Sequence, residues 1–144
     1  MDPDVTRVRR SAAVDSFVPG PATGRLVGAH RLTVQVRPDP AGEAVIISLR
    51  GELDCYTGPV LGSTVADVVS DGGQKVVLDV SGLTFCDASG LGTFVAAQRQ
   101  CCRGDGWVRL AGPSHSLTRL LTLGGLGAAL PCFRDVAEAV AEAA

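Results

Sequence analysis

Residues 75–92 hold this chain to one kind of architecture. Lys75-Val76-Val77-Leu78 has the branched, apolar character of a buried strand. From Leu91 onward, Leu91, Phe94, Val95 and then Cys101 or Cys102 recur at helical spacing, with Gln98, Arg99 and Gln100 among the polar positions between them. The apolar run ends in polar residues, so Asp87-Ala88-Ser89-Gly90 reads as a tight loop where a strand hands over to a helix that opens at Ser89. A hydroxyl there lies beside unpaired backbone N–H groups and the positive end of the helix dipole, a good place for a phosphate.

The flanking segments repeat the same unit. Leu32-Thr33-Val34-Gln35-Val36 alternates as a half-buried strand does, Pro38-Asp39-Pro40-Ala41-Gly42 turns the chain, and Val45-Ile46-Ile47-Ser48-Leu49 follows as an antiparallel partner. That strand runs into Arg50-Gly51-Glu52-Leu53-Asp54, which sets two carboxylates together at a strand end. Thr57 reads as an N-cap with Pro59 tolerated in the first turn, and Leu61, Val65, Val68 and Val69 form the stripe of a helix reaching about Ser70. Asp71-Gly72-Gly73 stops it. Beyond Arg103-Gly104-Asp105-Gly106, Trp107 to Ala111 reads as a strand. Ser114 caps a helix faced by Leu117, Leu120 and Leu121 and closed by Gly124, Gly125 and Gly127. A short strand follows at about Ala129 to Cys132, and Asp135 to Ala143 is a last helix with Val136 and Val140 facing inward. The expected fold is one α/β domain: a mixed, mostly parallel sheet of four to five strands with about four helices, its first strand joined antiparallel.

At 144 residues the chain can bury a core without disulfides or metal. Met1 to about His30 has no sustained periodicity and contains Pro3, Pro19, Gly20, Pro21 and Gly24. Residues 1–31 are therefore expected to be a flexible N-terminal extension and residues 32–144 the folded domain. The net charge is −2 and the basic residues are scattered, apart from Arg7, Arg9 and Arg10, which argues against a nucleic-acid partner. No apolar run approaches the roughly 20 residues of a membrane span. The first thirty residues also lack the apolar centre of a secretory signal, so the expected location is the cytoplasm. The five cysteines are odd in number and lack C-x-x-C or Cys/His zinc spacing. They read as small buried hydrophobes in a reducing compartment, and no metal or other cofactor is expected.

Three stretches resemble the STAS domain, the sulfate-transporter and anti-sigma-factor-antagonist family. Gly51-Glu52-Leu53-Asp54 looks like the family's motif after its second strand. Leu78-Asp79-Val80-Ser81-Gly82-Leu83-Thr84-Phe85-Cys86-Asp87-Ala88-Ser89-Gly90-Leu91-Gly92 is similar to its central signature. Leu110-Ala111-Gly112-Pro113-Ser114, followed by Leu120 to Leu126, resembles its carboxy-terminal pattern. The match runs over residues 32 to 143. The resemblance implies a STAS-like domain that acts as a free-standing bacterial anti-sigma factor antagonist and not as an enzyme. Its implied partner is a serine-kinase-type anti-sigma factor that supplies the ATP and Mg²⁺ site. Binding frees the sigma factor, phosphorylation on the signature serine ends the binding, and a serine phosphatase is implied as a further partner. That serine falls on Ser89. The family often carries two serines after the aspartate, and here the first is Ala88, which leaves Ser89 as the one hydroxyl of the tetrapeptide. The long extension is also atypical.

On these grounds the expected phosphorylation site is Ser89, and the expected partner-binding residues are Asp54, Asp87, Ala88, Ser89, Gly90 and Leu91. Asp87 either orients the hydroxyl, helps a kinase recognise it, or is a loop carboxylate paired with backbone N–H groups. Glu52 reads as a solvated or structural carboxylate, while Asp54 is the better contact, sharing the rim of strand ends with Ser89. Two enzyme readings fit poorly. A serine hydrolase would need Ser89, His115 and an aspartate to converge, yet the glycine two places before the serine is missing. A nucleotide-binding enzyme would need a phosphate loop, and Gly124-Gly125-Leu126-Gly127 follows a helix and not a strand. The rival within the family is a non-phosphorylated STAS binding or scaffold module of a sensory assembly or transporter complex.

Overall fold

The structure, a computed structural model, describes residues 25–27, 31–40 and 42–142. The expected flexible extension falls largely outside these residues. The described elements are β1 (Arg25–Val27), β2 (Leu32–Pro38), β3 (Val45–Leu53), α1 (Gly58–Ser70), β4 (Lys75–Cys86), α2 (Ala88–Cys102), β5 (Trp107–Ala111), α3 (His115–Leu123), β6 (Cys132–Phe133) and α4 (Val136–Ala141). The five strands read from the sequence are all present, and β1 adds a short sixth at the edge.

Sheet order equals chain order: β1, β2 and β3 pair antiparallel, and β3, β4, β5 and β6 pair parallel. Parallel neighbours need crossovers, and right-handed crossovers between successive neighbours all land on one face. One face is accordingly packed by α1, α2 and α3. Leu61, Val65, Leu91, Phe94, Leu117 and Leu121 meet Ile47, Leu49, Leu78, Val108 and Leu110 there. The alternate strand residues Ile46, Val77 and Ala111 point the other way, where α4 meets them through Ala139, Val136 and Val140.

Two boundaries differ from the sequence reading. The polar stretch Asp79 to Cys86 is strand and not loop: β4 stays paired with β3 to its end, with register shifts between Ser48 and Arg50 and between Gly51 and Glu52 that absorb extra β4 residues. Gly82 permits this, because a Cβ there would lie 2.7 Å from the Leu49 carbonyl oxygen. At the other end of the chain, β6 is two residues at Cys132–Phe133, later and shorter than expected. Thr57 occupies the N-cap position of α1, but its hydroxyl donates to Glu52 O at 2.8 Å instead of capping the helix. The cysteine reading holds for Cys101 and partly for Cys86, but Cys55, Cys102 and Cys132 are exposed. Cys102 follows buried Cys101 on the helix, so it is turned away from the core.

Gly51 has φ +110°, and a Cβ there would sit 2.0 Å from the Arg31 carbonyl oxygen, which accepts from Glu52 N at 2.7 Å. Gly62 lies exposed in the interior of α1, and a Cβ there would meet nothing within 4 Å. Denaturant unfolding should therefore separate them. Gly51→Ala should lose about 1–3 kcal/mol or more, and Gly62→Ala should gain roughly 0.5–1 kcal/mol.

Candidate functional site

The ends of β3 and β4 run side by side. Leu53 pairs with Cys86, and Asp87 N donates to Leu53 O at 3.4 Å. The loop 54–57 leading into α1 and the turn leading into α2 therefore open on the same rim of the sheet.

Asp87 is extended (φ −109°, ψ −172°) and is the N-cap of α2, so the helix begins at Ala88 and not at Ser89. The carboxylate takes this role because it reaches the third helical amide: its Oδ1 accepts from Gly90 N at 3.0 Å. The same oxygen accepts from the Ser89 hydroxyl at 2.6 Å. Asp87 thus satisfies a backbone N–H and orients the serine, two of the roles the sequence left open. The Ser89 hydroxyl, followed by Gly90 N, pulls the Asp87 carboxyl below its ordinary pKa and keeps it ionised. Ala88 and Ser89 are exposed. Gly90 and Leu91 face inward: a Cβ on Gly90 would meet Cys86 Sγ at 2.7 Å and Leu53 O at 2.9 Å, and Leu91 belongs to the main core. Their contribution to the site is to seat the first turn of α2 tightly on the end of β3.

Asp54 spends its oxygens on its own surroundings. Oδ1 accepts from Tyr56 N at 2.9 Å and Thr57 N at 3.1 Å, and Oδ2 pairs with Arg31, whose guanidinium also reaches Glu52 at 3.1 Å. Arg31, with lesser help from the Thr57 and Tyr56 amides, holds the Asp54 carboxyl down to about 2. The ionised carboxylate folds the loop so that Tyr56 stands outward, 74% exposed, with the Arg31 guanidinium 5.8 Å from its ring centre. Phe85, opposite Glu52 in the β3–β4 register, is 50% exposed.

Arg31, Tyr56 and Phe85 are members of this rim that sequence reasoning missed. Tyr56 is the chain's sole tyrosine and follows the acidic motif by two residues, a signal that was available. Two exposed aromatics and an oriented, exposed hydroxyl thus lie on segments that leave the same end of the β3–β4 pair. The serine–histidine pair that the hydrolase reading calls for is not formed. The Ser89 hydroxyl is bonded to a carboxylate, and His115 is exposed at the first position of α3, next to the cap in which Ser114 Oγ accepts from Leu117 N, with no hydrogen bond to Ser89. Among the described residues no group of three or more His, Cys, Asp or Glu could hold a metal ion, and no helix is long and apolar enough to cross a membrane.

The STAS domain model matches residues 32–139. An anti-sigma-B factor antagonist of Staphylococcus aureus (strain NCTC 8325 / PS 47) is 29% identical over 80 residues, covering 56% of this chain and 74% of the relative. Among solved structures, an anti-sigma factor antagonist from Mycobacterium paratuberculosis superposes with a TM-score of 0.69 at 23% identity, over 80% of this chain and 96% of the other. The Bacillus cell fate determinant SpoIIAA in its phosphorylated form superposes with a TM-score of 0.59 at 24% identity, over 74% of this chain and 96% of the other. These two structures share the fold.

The Asp54 pairing has a pH signature. Its carboxyl lies at about 2 in the folded chain against an ordinary 3.8. A group depressed in this way stabilises the fold fully above the unfolded pKa and loses that contribution as pH falls through the folded one. The stability difference between the unmodified protein and Asp54→Asn, read by urea unfolding, should be widest near neutrality and shrink between about pH 4 and pH 2. A difference constant across that window would count against an Asp54 carboxylate bound to Arg31.

Proposed function

This chain belongs to the STAS domain family, and from that membership we propose that it is an anti-sigma factor antagonist switched by phosphorylation of Ser89. The single observation that carries the reading is the exposed Ser89 hydroxyl, held at 2.6 Å by Asp87 on a rim that also presents Tyr56 and Phe85. The antagonist relative from Staphylococcus aureus, and a fold relative that exists in a phosphorylated form, support it. In this reading the unmodified rim docks on a serine-kinase-type anti-sigma factor in the cytoplasm, so that the sigma factor is released. Tyr56 and Phe85 are the apolar anchors, Ala88 and Ser89 meet the kinase cleft, and Asp54 and Asp87 contribute by fixing the two loops that carry them.

The kinase brings ATP and Mg²⁺. Ser89 Oγ bonds to the γ-phosphorus as the bond to the bridging oxygen breaks and ADP leaves, and the hydroxyl proton passes to a base of the kinase. Asp87 is a weak base because its pKa is depressed, so its part is to aim the hydroxyl. The product phosphoserine carries a charge of about −1.5 to −2. At the start of α2 that charge is tolerated, worth roughly 0.3–1 kcal/mol in its favour, so the domain stays folded. Against the partner it adds to Glu52, Asp54 and Asp87 on one rim, where unfavourable charge juxtaposition costs several kcal/mol, and each 1.4 kcal/mol is about tenfold in affinity. A serine phosphatase resets the rim.

The test is phosphosite mapping after incubation with the co-purified anti-sigma factor, ATP and Mg²⁺. Phosphate is expected on Ser89 alone, absent in Ser89→Ala, which should still bind the partner. Tyr56→Ala should weaken binding by about 10- to 100-fold, as loss of a central aromatic anchor does. An unmodified Ser89 beside a demonstrably active kinase would leave a constitutive binding module, with Ser89 reduced to a first-turn residue of α2.

A further inference from the structure

Arg31 joins the Ser89 rim from outside both of the segments that build it. Neither residues 51–57 nor residues 85–91 contain a lysine or arginine, so Glu52, Asp54 and Asp87 have no cationic side chain within their own segments. Arg31 supplies one from the residue before β2. Its backbone is fixed there: Arg31 O accepts from Glu52 N at 2.7 Å, a close approach that the positive φ of Gly51 allows. The guanidinium therefore reaches the rim from a main chain already tied to β3.

The two terminal nitrogens grip two carboxylates. Nη1 donates to Glu52 Oε1 at 3.1 Å and pairs with Asp54 Oδ2, while Nη2 donates to Asp54 Oδ1 at 3.4 Å. Asp54 Oδ1 is also the oxygen that accepts from Tyr56 N and Thr57 N. One carboxylate oxygen thus links the arginine to the backbone of the residue that carries the exposed ring. The guanidinium itself lies 5.8 Å from the centre of that ring, within cation–π range. With side chains 32% exposed at Arg31 and 44% at Glu52, this ion pair adds little to overall stability. Its effect falls on the loop. Tyr56 is 74% exposed, and a side chain free to rotate in solvent loses that freedom when it docks, which weakens binding.

We propose that Arg31 is a positioning residue for partner binding: by bracing Asp54 and lying beside the Tyr56 ring, it presets the 54–57 loop in the geometry that docks. The inference rests on the antagonist reading of this rim. Arg31 acts through Tyr56 and makes no hydrogen bond to Asp87 or Ser89, whose pairing with each other is separate from it. Its loss should therefore weaken docking without slowing phosphoryl transfer in the docked complex.

The test compares the full-length protein with Arg31→Met, Tyr56→Ala and the double variant, each titrated against the co-purified anti-sigma factor and phosphorylated by it. Arg31→Met should weaken binding about three- to tenfold and raise KM for Ser89 phosphorylation with kcat unchanged. In the Tyr56→Ala background the same substitution should weaken binding less than about twofold, because the residue it positions is gone. With no partner present, amide relaxation should show lower order at residues 54–57 in Arg31→Met than in the unsubstituted protein, while core amides stay in place. Arg31→Lys keeps the charge without the two-pronged geometry. It should fall between Arg31→Met and the unsubstituted protein, which preserves the test if Arg31→Met folds poorly. Equal losses in both backgrounds would overturn the proposal, since Arg31 would then touch the partner itself. So would a fall in kcat, an unchanged affinity, or a 54–57 loop as ordered in Arg31→Met as in the unsubstituted protein. An unsubstituted protein that binds no anti-sigma factor, together with a loosened loop in Arg31→Met, would defeat the antagonist reading alone and support the positioning of Tyr56.

Discussion

The parallel pairing of β3 with β4 is the constraint on which the rest of the molecule depends. Both strands are apolar in their first halves, from the Val45–Val76 pair onward, and both turn polar toward their ends, yet the ladder persists to Leu53 and Cys86. Persisting that far requires two register shifts and a glycine at 82, where any side chain would collide with the β3 backbone. The result is that the 54–57 loop and the Asp87 cap with the first turn of α2, well separated in sequence, leave the sheet together. Had β4 ended where its apolar run ends, near Val80, Ser89 would not share a rim with Tyr56.

On that rim, charge is used for shape. Asp87 caps α2 and orients Ser89; Asp54 binds Arg31 and two amides of its own loop. Each carboxylate is ionised because hydrogen-bond donors surround it, and each holds a neighbouring residue outward. A phosphate on Ser89 would enter a neighbourhood already rich in negative charge but next to a helix N-terminus. In the proposed reading its effect would be felt by a partner more than by the fold. The second face of the sheet is thinner, because successive right-handed crossovers send α1, α2 and α3 to one side, and among the described helices α4 alone covers the other.

How much of this can be read from the sequence follows the range of each interaction. The Asp87–Ser89 pair spans two residues and falls at a visible strand-to-helix junction, so the position of the hydroxyl was legible. Its capping detail was not, because serine and aspartate are equally good caps and only geometry decides between them. The stripes of α1 and α3 and the stop at Asp71-Gly72 were legible because periodicity and glycine act locally. Arg31 was not: it reaches Asp54 across 23 residues, through the β2–β3 register and the positive-φ Gly51 within β3, and it sits at the edge of a segment that composition marks as an extension. The full length of β4 was hidden for a similar reason. A polar strand is held by its partner and not by its own pattern.

The most direct test of the central claim is the dissociation constant for one anti-sigma factor, measured with the same preparation before and after Ser89 is phosphorylated, with amide spectra recorded on both forms. Affinity should fall by at least about 100-fold, while core resonances such as those of Leu78, Phe94 and Leu110 stay in place and changes gather at residues 54–57 and 85–91. Unchanged affinity would show that this rim is not the switch. Loss of affinity accompanied by shifts throughout the core would show that phosphorylation refolds the domain instead of altering its surface.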